Sequence, residues 1–519
     1  MCRENRPWTV PPEISGICIC SARPTHRYSC RLVPLPPELL PDLEPPDARS
    51  EGFLYRRLAA ALRSQIDGGV LRVGDRLPSV RTVRRLHNVS AATAAGAYIV
   101  LEREGYVEAR ERSGFYVARP ATTEIPATLK PSYMPGRVDV GELISAVLGS
   151  ADERLIPLGL SSLGPELLPT ARLNRAVRRA MAREPLHSAS YGDVRGVPDL
   201  RRQLARLLIH SGVTCSMEDL IVTAGGLEAL NLALRTVTTP GDIIAVESPT
   251  YFGVLQAIEA LGLRAVEVPS HPRSGVDLAL LERAIRRHHA KAAIVMTTCH
   301  NPLGCVMTDS AKQELVTLVT RMGVALIEDD VYGELAHGDT RPRPAKAFDR
   351  RGHVMLCSSV SKSLAPGLRV GWIVPGKYQR RTELVKSVTS RITSALPQLG
   401  LAGLLETGFY PRYIRRLRQQ VAGQVARYAA AVEHVFPDGT RMTRPAGGTV
   451  LWVQLPGRAD GTTLYHRALE KGISITPGEI FSLGRRHRHF IRISCAHPWS
   501  ARIERGITEL ARLMKPKRG

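Results

Sequence analysis

The spacing of hydrophobic residues divides the chain into two differently patterned parts. Between residues 51 and 120, apolar residues recur every three or four positions, as from Leu54 to Ile66, which predicts short amphipathic helices. From residue 151 onward, short β-branched runs such as Ile243–Val246 alternate with helical stretches. This alternation predicts an α/β fold whose mostly parallel sheet is covered by helices, with a smaller α/β subdomain at the C-terminus.

Proline-rich stretches flank the first patterned part. Residues 1–50 contain ten prolines and almost no periodic apolar pattern, so we expect a flexible tail without helix or strand pairing. Four prolines between residues 120 and 135 predict a linker over residues 121–150. The predicted domains are therefore the tail, a helical domain (51–120), the linker and an α/β domain (151–519).

Composition narrows the function classes. Lys and Arg number 71 against 48 Asp and Glu, and the net charge of +23 favours contact with polyanions, nucleic acid first. No run of 18 apolar residues and no signal-peptide pattern occurs, so we expect a cytoplasmic protein without membrane contact. The nine cysteines are typical of a reduced compartment, and the Cys18-x-Cys20 pair lacks zinc-module spacing, so no metal site is predicted.

A helix-turn-helix with a wing is predicted inside the helical domain. Ser79 precedes one short helix, Ser90 is suited to cap the next, and a hairpin follows around Gly114. In such a motif the second helix enters the major groove of double-stranded DNA. The segment resembles the winged helix-turn-helix of the GntR family of bacterial regulators; a small helical docking domain is the alternative. The residues predicted to contact DNA are Arg81, Arg84, Ser90, Thr93, Tyr98, Arg110, Arg112 and Gly114.

The second helix of this motif departs from the GntR pattern. The stretch Ser90–Ala95 carries alanine where such helices commonly have an arginine just after the cap. Alanine offers no donor to a base edge, so guanine cannot be read from that position. We therefore expect Arg81, Arg84, Arg110 and Arg112 to supply mainly phosphate contacts.

One lysine of the α/β domain has the surroundings of a cofactor-binding residue. Lys362 follows a predicted buried strand, lies beside the hydroxyls of Ser359 and Ser361, and precedes Arg369 by seven residues. An amine in this setting can form a Schiff base with pyridoxal phosphate while its neighbours hold the phosphate. A lone lysine at the end of a strand is more often an exposed residue, so the interpretation depends on the companions described next.

Polar residues follow other predicted strands at the same sheet edge, where α/β folds bind ligands. Asp329 ends one strand, and a buried carboxylate there would keep the pyridine nitrogen of such a cofactor protonated. Tyr332 lies three residues further on, and Asn301 follows another strand within an Asn-Pro turn. Both are candidates for hydrogen bonds to the ring oxygen.

Three further features complete the predicted site. The turn containing Gly225, Gly226 and Leu227 leads from a strand into a helix, whose first N–H groups form an anion site. Tyr251 is expected to stack on the ring, and Arg492 to grip a carboxylate through two parallel hydrogen bonds. Each signal is weak alone, because glycine turns, core tyrosines and surface arginines are common.

In this order, the stretches from Tyr191 to Arg492 resemble a fold-type I, class I aminotransferase. Gly226 and Leu227 depart from that pattern, since relatives often carry Ser and Gln or Thr there, and we expect weaker binding of pyridoxal phosphate as a result. The resemblance implies an internal aldimine at Lys362, Asp329 on the ring nitrogen, Asn301 and Tyr332 on the ring oxygen, Ser359, Ser361 and Arg369 on the phosphate, Arg492 on the substrate α-carboxylate, and Tyr191 on the phosphate of a partner subunit.

The combination of both parts resembles the MocR subfamily of GntR transcriptional regulators. That resemblance implies a homodimer in which pyridoxal phosphate, or its adduct with an amino acid or amine effector, alters operator binding. Three hypotheses follow: a sensor of this kind, a functional class I aminotransferase carrying a DNA-binding appendage, and a DNA-binding protein whose large domain only dimerises. The complete cofactor set argues against the third, while the first two begin with the same chemistry and stay open.

Overall fold

The computed structural model divides the chain into two compact units, Met1–Thr122 and Thr123–Gly519. It describes residues 17–19, 31–33, 51–67, 70–71, 74–103, 106–110, 114–117, 124–129, 134–136, 141–149, 152, 154–183, 185–188, 190–457 and 459–514. Among these residues, no helix is long and apolar enough to cross a membrane.

The smaller unit contains the three helices and the hairpin that the hydrophobic spacing predicts. Its core is formed by one face of each helix together with the hairpin, with Leu62, Val83, Leu101 and Val117 all buried. Its elements are β1 (Ile17–Ile19), β2 (Arg31–Val33), α1 (Glu51–Asp67), α2 (Val80–Leu86), α3 (Ala91–Arg103), β3 (Val107–Arg110) and β4 (Gly114–Val117).

The N-terminal tail corrects one expectation. Strands β1 and β2 pair in antiparallel fashion, with Ile17 opposite Val33, so the expectation that residues 1–50 hold no strand pairing is wrong for these segments. Both segments are free of proline and carry β-branched residues, which satisfies the local requirements of a ladder. The rest of the predicted tail lies outside the described residues.

Serine caps define the starts of α2 and α3. The Ser79 hydroxyl accepts a hydrogen bond from the Thr82 N–H at 3.1 Å, and the Ser90 hydroxyl accepts one from the Thr93 N–H at 3.0 Å. These bonds satisfy N–H groups that the helix itself leaves without acceptors. The predicted cap at Ser90 is confirmed.

Tyr98 is a core residue of this unit, and its predicted contact with DNA is wrong. Its side chain is 0% exposed, its ring lies 4.9 Å from that of Phe115, and its hydroxyl donates to the Pro78 carbonyl at 2.5 Å. Burial raises the pKa of the phenol. Helical spacing explains the correction, because Ala94, Tyr98 and Leu101 lie on the one face of α3 that packs inward.

The larger unit begins within the predicted linker. Residues 141–149 form α4, with Ile144 and Val147 buried in the main core, and Gly136 exchanges backbone hydrogen bonds with Ala265. Prolines end at Pro135, and the apolar spacing of the residues that follow is sufficient for a short helix.

Two sheets organise this unit and confirm the α/β fold class. Eight strands form the large sheet in the order β6-β13-β12-β11-β10-β7-β8-β9, parallel except at β13 and β9, and β14-β15-β18-β17 form an antiparallel C-terminal sheet. The elements are α4 (Gly141–Gly149), β5 (Ile156–Pro157), α5 (Thr170–Arg183), α6 (Pro198–His210), β6 (Ile221–Thr223), α7 (Gly226–Val237), β7 (Ile243–Ser248), α8 (Phe252–Ala260), β8 (Arg264–His271), β9 (Gly275–Val276), α9 (Leu278–His288), β10 (Ala292–Val295), α10 (Asp309–Met322), β11 (Ala325–Asp329), β12 (Val354–Ser359), β13 (Gly371–Val374), α11 (Gln379–Thr389), α12 (Ala395–Glu406), α13 (Phe409–Val435), β14 (Arg441–Met442), β15 (Val450–Gln454), α14 (Gly461–Glu470), β16 (Ile473–Ser474), β17 (Thr476–Pro477), β18 (Phe490–Ser494) and α15 (Ala501–Met514).

Strand β13 begins at Gly371, three residues after the start of the apolar run at Leu368. Pro366–Leu368 form a short 3-10 turn, and Arg369 adopts a left-handed conformation with φ of 52°, so regular pairing starts only at Gly371. This turn directs the Arg369 side chain toward the loop between β6 and α7, where its Nη2 donates a hydrogen bond to the Ala224 carbonyl at 3.0 Å.

A Tyr98→Phe variant tests the structural role of this residue. Loss of the bond to Pro78 should destabilise the smaller unit by about 1 kcal/mol, measured by chemical denaturation, while DNA affinity stays unchanged. Ser64→Ala, an exposed position on α1, serves as the control. A loss of DNA affinity at unchanged stability would contradict the core assignment.

Candidate cofactor site and DNA interface

The predicted cofactor residues other than Tyr191 lie along one edge of the large sheet. Strands β6, β7, β10, β11 and β12 run parallel to one another, so their carboxyl ends share this edge. Arg492 is supplied by β18 of the second sheet. At or just after the ends of the five strands lie Gly225 and Gly226 (β6), Tyr251 (β7), Asn301 (β10), Asp329 and Tyr332 (β11), and Ser359, Ser361 and Lys362 (β12).

Ser161 connects two of the predicted residues. The Lys362 Nζ donates to the Ser161 carbonyl at 2.6 Å, and the Tyr332 hydroxyl donates to the Ser161 Oγ at 2.7 Å. The Lys362 Nζ also lies 5.5 Å from the centre of the Tyr332 ring. Ser161 lies in an irregular segment between β5 and α5, where a serine is an ordinary loop residue, and the sequence analysis missed it.

Asp329 is a buried carboxylate whose charge is poorly compensated by the protein. Its side chain lies at the end of β11 and accepts a hydrogen bond from the Val331 N–H at 3.2 Å. Burial raises the pKa of Asp329 to about 6, although this N–H and the nearby charge of Lys362 act in the opposite direction. A cationic ring nitrogen at this position would stabilise the ionised form.

His300 is a second residue that the sequence analysis passed over. Its ring is fully buried, its Nδ1 accepts from the Leu303 N–H at 3.3 Å, and its Nε2 lies 3.3 Å from the Glu247 carboxylate. It directly precedes Asn301, so the signal available was a histidine before an Asn-Pro turn.

The loop before α7 has the shape of an anion cradle. Gly225 has φ of 97°, a backbone conformation that L side chains rarely adopt, and a Cβ there would lie 2.6 Å from the Arg369 Nη2, so a side chain at this position would be strained and would displace the arginine. The helix start has no side-chain cap, and the Ser361 Oγ is buried without a partner among the described residues. Leu227 is 46% exposed and adds only its backbone N–H.

Arg492 is a buried cation suited to an anionic ligand. The residue is 2% exposed; its Nη1 donates to the Asn301 Oδ1 at 3.1 Å, and its Nη2 donates to the Gly159 carbonyl at 2.8 Å. Its Nε has no partner among the described residues, and its guanidinium lies 5.1 Å from the centre of the Phe481 ring. A buried charge whose described partners are neutral is expected to bind a carboxylate.

The two tyrosines predicted for the cofactor have different surroundings. Tyr251 lies at the N-cap of α8, its ring 4.7 Å from that of Phe252, and burial raises its pKa to about 12. Tyr191 is 79% exposed, with the Arg391 guanidinium 4.7 Å from its ring centre. The structure therefore does not bring Tyr191 to the site of its own chain.

These residues fit pyridoxal phosphate. An amine at Lys362, a buried carboxylate at Asp329, an anion cradle with an unpartnered hydroxyl, and a separate buried cation at Arg492 match the parts of that cofactor and of an amino acid bound beside it.

Comparison with known proteins identifies both units. Residues 162–510 match the family Aminotransferase class I and II, and residues 54–117 match Bacterial regulatory proteins, gntR family. The chain belongs to the MocR type of GntR regulators. It is 38% identical to the HTH-type transcriptional regulator YdcR of Escherichia coli over 89% of this chain and 99% of that protein, and 35% identical to YjiR of the same organism over 88% and 97%.

A solved structure agrees with the aminotransferase part of this MocR-type chain. The α-aminoadipate aminotransferase LysN of Thermus thermophilus, complexed with N-(5'-phosphopyridoxyl)-L-leucine, is 26% identical with a TM-score of 0.67, covering 73% of this chain and 95% of LysN. The family and this neighbour make pyridoxal phosphate the cofactor of the larger unit.

In the smaller unit, the predicted DNA-contacting residues lie on two helices and the wing. Arg81 and Arg84 are exposed on α2, and the Ser90 and Thr93 hydroxyls lie 2.8 Å apart at the start of α3. Gly114 opens β4 with φ of 105°. Arg110 belongs to β3, and Arg112 lies outside the described residues.

Asp329→Asn is expected to stabilise the cofactor-free protein at pH 7.5 by on the order of 2 kcal/mol. The folded-state pKa of about 6 lies above the ordinary 3.8, so the stability linked to this group is complete below about pH 4 and is lost as pH rises through 6. The gain should shrink when denaturation is measured at pH 5, with the exposed Asp438→Asn as control. A gain independent of pH would contradict the burial argument.

Arg81→Ala is expected to weaken binding to all DNA sequences and to lower the slope of log affinity against log salt by about one. We expect this change to remove one phosphate contact and no base contact. Fluorescence anisotropy with specific and random duplexes measures both quantities, and Arg286→Ala, an exposed arginine on α9, is the control. A loss confined to one operator sequence would show that Arg81 reads bases.

Proposed function

We propose that this protein is a homodimeric transcriptional regulator whose binding to operator DNA responds to pyridoxal phosphate and to an amino acid or amine bound at Lys362. The observation that carries the proposal is a winged helix with exposed arginines in the same chain as a site where the half-buried Lys362 acts on the buried Asp329 and where Arg492 is also buried. The relatives YdcR and YjiR, which are named transcriptional regulators, match across both units.

Recognition of an amino compound follows from the positions of Lys362 and Arg492. Bound pyridoxal phosphate supplies an electrophilic carbon to which amines add. Arg492 is placed to hold the carboxylate of an amino acid, because its Nε is buried and unpartnered in the described part of the chain. In this proposal the Lys362 amine accepts and returns the proton that this exchange of amines moves.

A short segment offers a physical route for the response. The Gly159 carbonyl accepts a hydrogen bond from Arg492, and the Ser161 carbonyl accepts one from Lys362. Both of the proposed ligand-binding cations therefore hold the segment 159–161. A ligand that engages either cation competes for these bonds. The segment follows α4 and the predicted linker in sequence, which supports a change that spreads toward the N-terminal part of the chain.

A homodimer is part of the proposal. Tyr191 is largely exposed and held under Arg391, which suits a residue that completes the phosphate site of a partner subunit. Two winged helices related by two-fold symmetry would bind a palindromic operator. We also propose a cytoplasmic location, because bacterial DNA lies in the cytoplasm.

The second candidate function is an aminotransferase that acts on an amino acid and a 2-oxo acid. The burial of Arg492 with an unpartnered Nε in the described part of the chain favours it, as does the likeness to LysN. A sensor needs only a bound amino compound, whereas an enzyme must release product and accept a second substrate. Multiple-turnover assays with amino donors and 2-oxo acids therefore separate the two functions.

The test of the proposal is binding of the purified protein to its own upstream DNA, with and without pyridoxal phosphate and a panel of amino acids, at two salt concentrations. We expect selective binding whose affinity changes roughly fivefold or more with a ligand, and loss of that response in Lys362→Ala. Lys291→Ala, an exposed lysine, is the matched control. Selective binding that no ligand alters in either protein would favour a larger unit that serves only dimerisation, and rapid turnover without selective binding would favour the enzyme.

A further inference from the structure

We infer that Glu228, held by the buried Lys386, is a positioning residue that shapes the phosphate-binding loop before α7. The inference rests on the assignment of pyridoxal phosphate to the larger unit and concerns how this chain holds its phosphate. Neither residue belongs to the predicted cofactor set, and both lie on helices that border the loop.

The loop needs such support because its own side chains supply little. Gly226 has no side chain and Leu227 an apolar one, so the phosphate contacts of the helix start are backbone N–H groups. Gly225, with φ of 97°, has wide conformational freedom. Backbone donors bind an anion well only if their directions are fixed in advance, so a bond that holds this loop contributes directly to affinity.

Glu228 supplies that bond. Its carboxylate accepts the N–H of Ala224, four residues earlier, and thereby closes the loop between the end of β6 and the first turn of α7. The other oxygen accepts from the Lys386 Nζ at 2.9 Å and from the Ser390 hydroxyl. A carboxylate with these donors is a charge-assisted acceptor and therefore a strong one.

Lys386 anchors the carboxylate to the protein interior. The lysine is 0% exposed, and its Nζ also donates to the Ser390 Oγ and the Thr393 Oγ1, both at 3.1 Å. The Thr393 hydroxyl in turn donates to the Val222 carbonyl at 3.1 Å, within the strand that leads into the loop. The network thus ties the end of α11 to both sides of the phosphate loop.

Charge explains why the two residues occur together. A carboxylate beside a phosphate site repels the ligand unless a cation neutralises it, and Lys386 is that cation. Burial alone would raise the pKa of Glu228, but bonds from Ser390, the Ala224 N–H and Lys386 outweigh it and hold the pKa below its ordinary value. Glu228 is therefore ionised at neutral pH and paired.

The experiment compares the binding of pyridoxal phosphate with that of pyridoxal, which lacks the phosphate, by equilibrium dialysis of the full-length protein. For Glu228→Ala we expect a roughly tenfold loss of affinity for pyridoxal phosphate and an unchanged affinity for pyridoxal, because only the phosphate uses the loop. Glu228→Gln, which keeps an acceptor for the Ala224 N–H, should retain most of the affinity. Glu282→Ala, in an exposed ion pair on α9, is the control.

Charge is tested by Lys386→Met. This variant leaves the carboxylate without its cation, so we expect weaker binding of pyridoxal phosphate and partial recovery in the double variant Glu228→Gln/Lys386→Met. Equal losses for both ligands, or an unchanged affinity for pyridoxal phosphate in Glu228→Ala, would overturn the inference. If Glu228→Ala fails to fold, the two ligands are compared in Glu228→Gln, Lys386→Met and the double variant instead. A double variant that binds pyridoxal phosphate no better than Lys386→Met would overturn the inference. Failure of the unaltered protein to bind pyridoxal phosphate would overturn the cofactor assignment together with the inference.

Discussion

The burial of a parallel sheet on both faces is the constraint on which the larger unit depends. Strands β6, β7, β10, β11 and β12 are apolar through most of their length, so polar groups are accommodated where these strands end. At that edge each strand leads into a loop or a helix start, whose N–H groups and side chains need hydrogen-bond partners. The cofactor site is the place where these requirements meet.

Buried charges then determine what the site binds. Asp329 and Arg492 are both nearly inaccessible, and their described protein partners do not neutralise them. Lys386 and Glu228 neutralise each other, which leaves the neighbouring loop available for an external anion. A cofactor with a cationic ring nitrogen and a phosphate, together with a ligand carboxylate, would supply the missing opposite charges.

Much of this arrangement follows from local sequence. Helical spacing and the serine caps predict α2 and α3, and β-branched runs predict the strands that form the large sheet. Lys362, Asp329 and Arg492 are recognisable because each follows or lies on a predicted strand within a short motif. High proline content predicts neither the tail strands nor α4, because these elements form in short proline-free segments beside the prolines.

Contacts between distant residues were decided only by the tertiary structure. Ser161 meets Lys362 across 201 positions and Glu228 meets Lys386 across 158, and no local pattern marks either pair. The polar hydroxyl of Tyr98 suggests a contact with DNA, but the packing of α3 buries this side chain in the core of the smaller unit. The sequence by itself determined most of the elements, the MocR-type order of its two units and the chemical types at the strand ends, because these depend on neighbouring residues. Which partner each buried charge finds, and hence which groups remain for a ligand, depends on the packing of elements far apart in the chain.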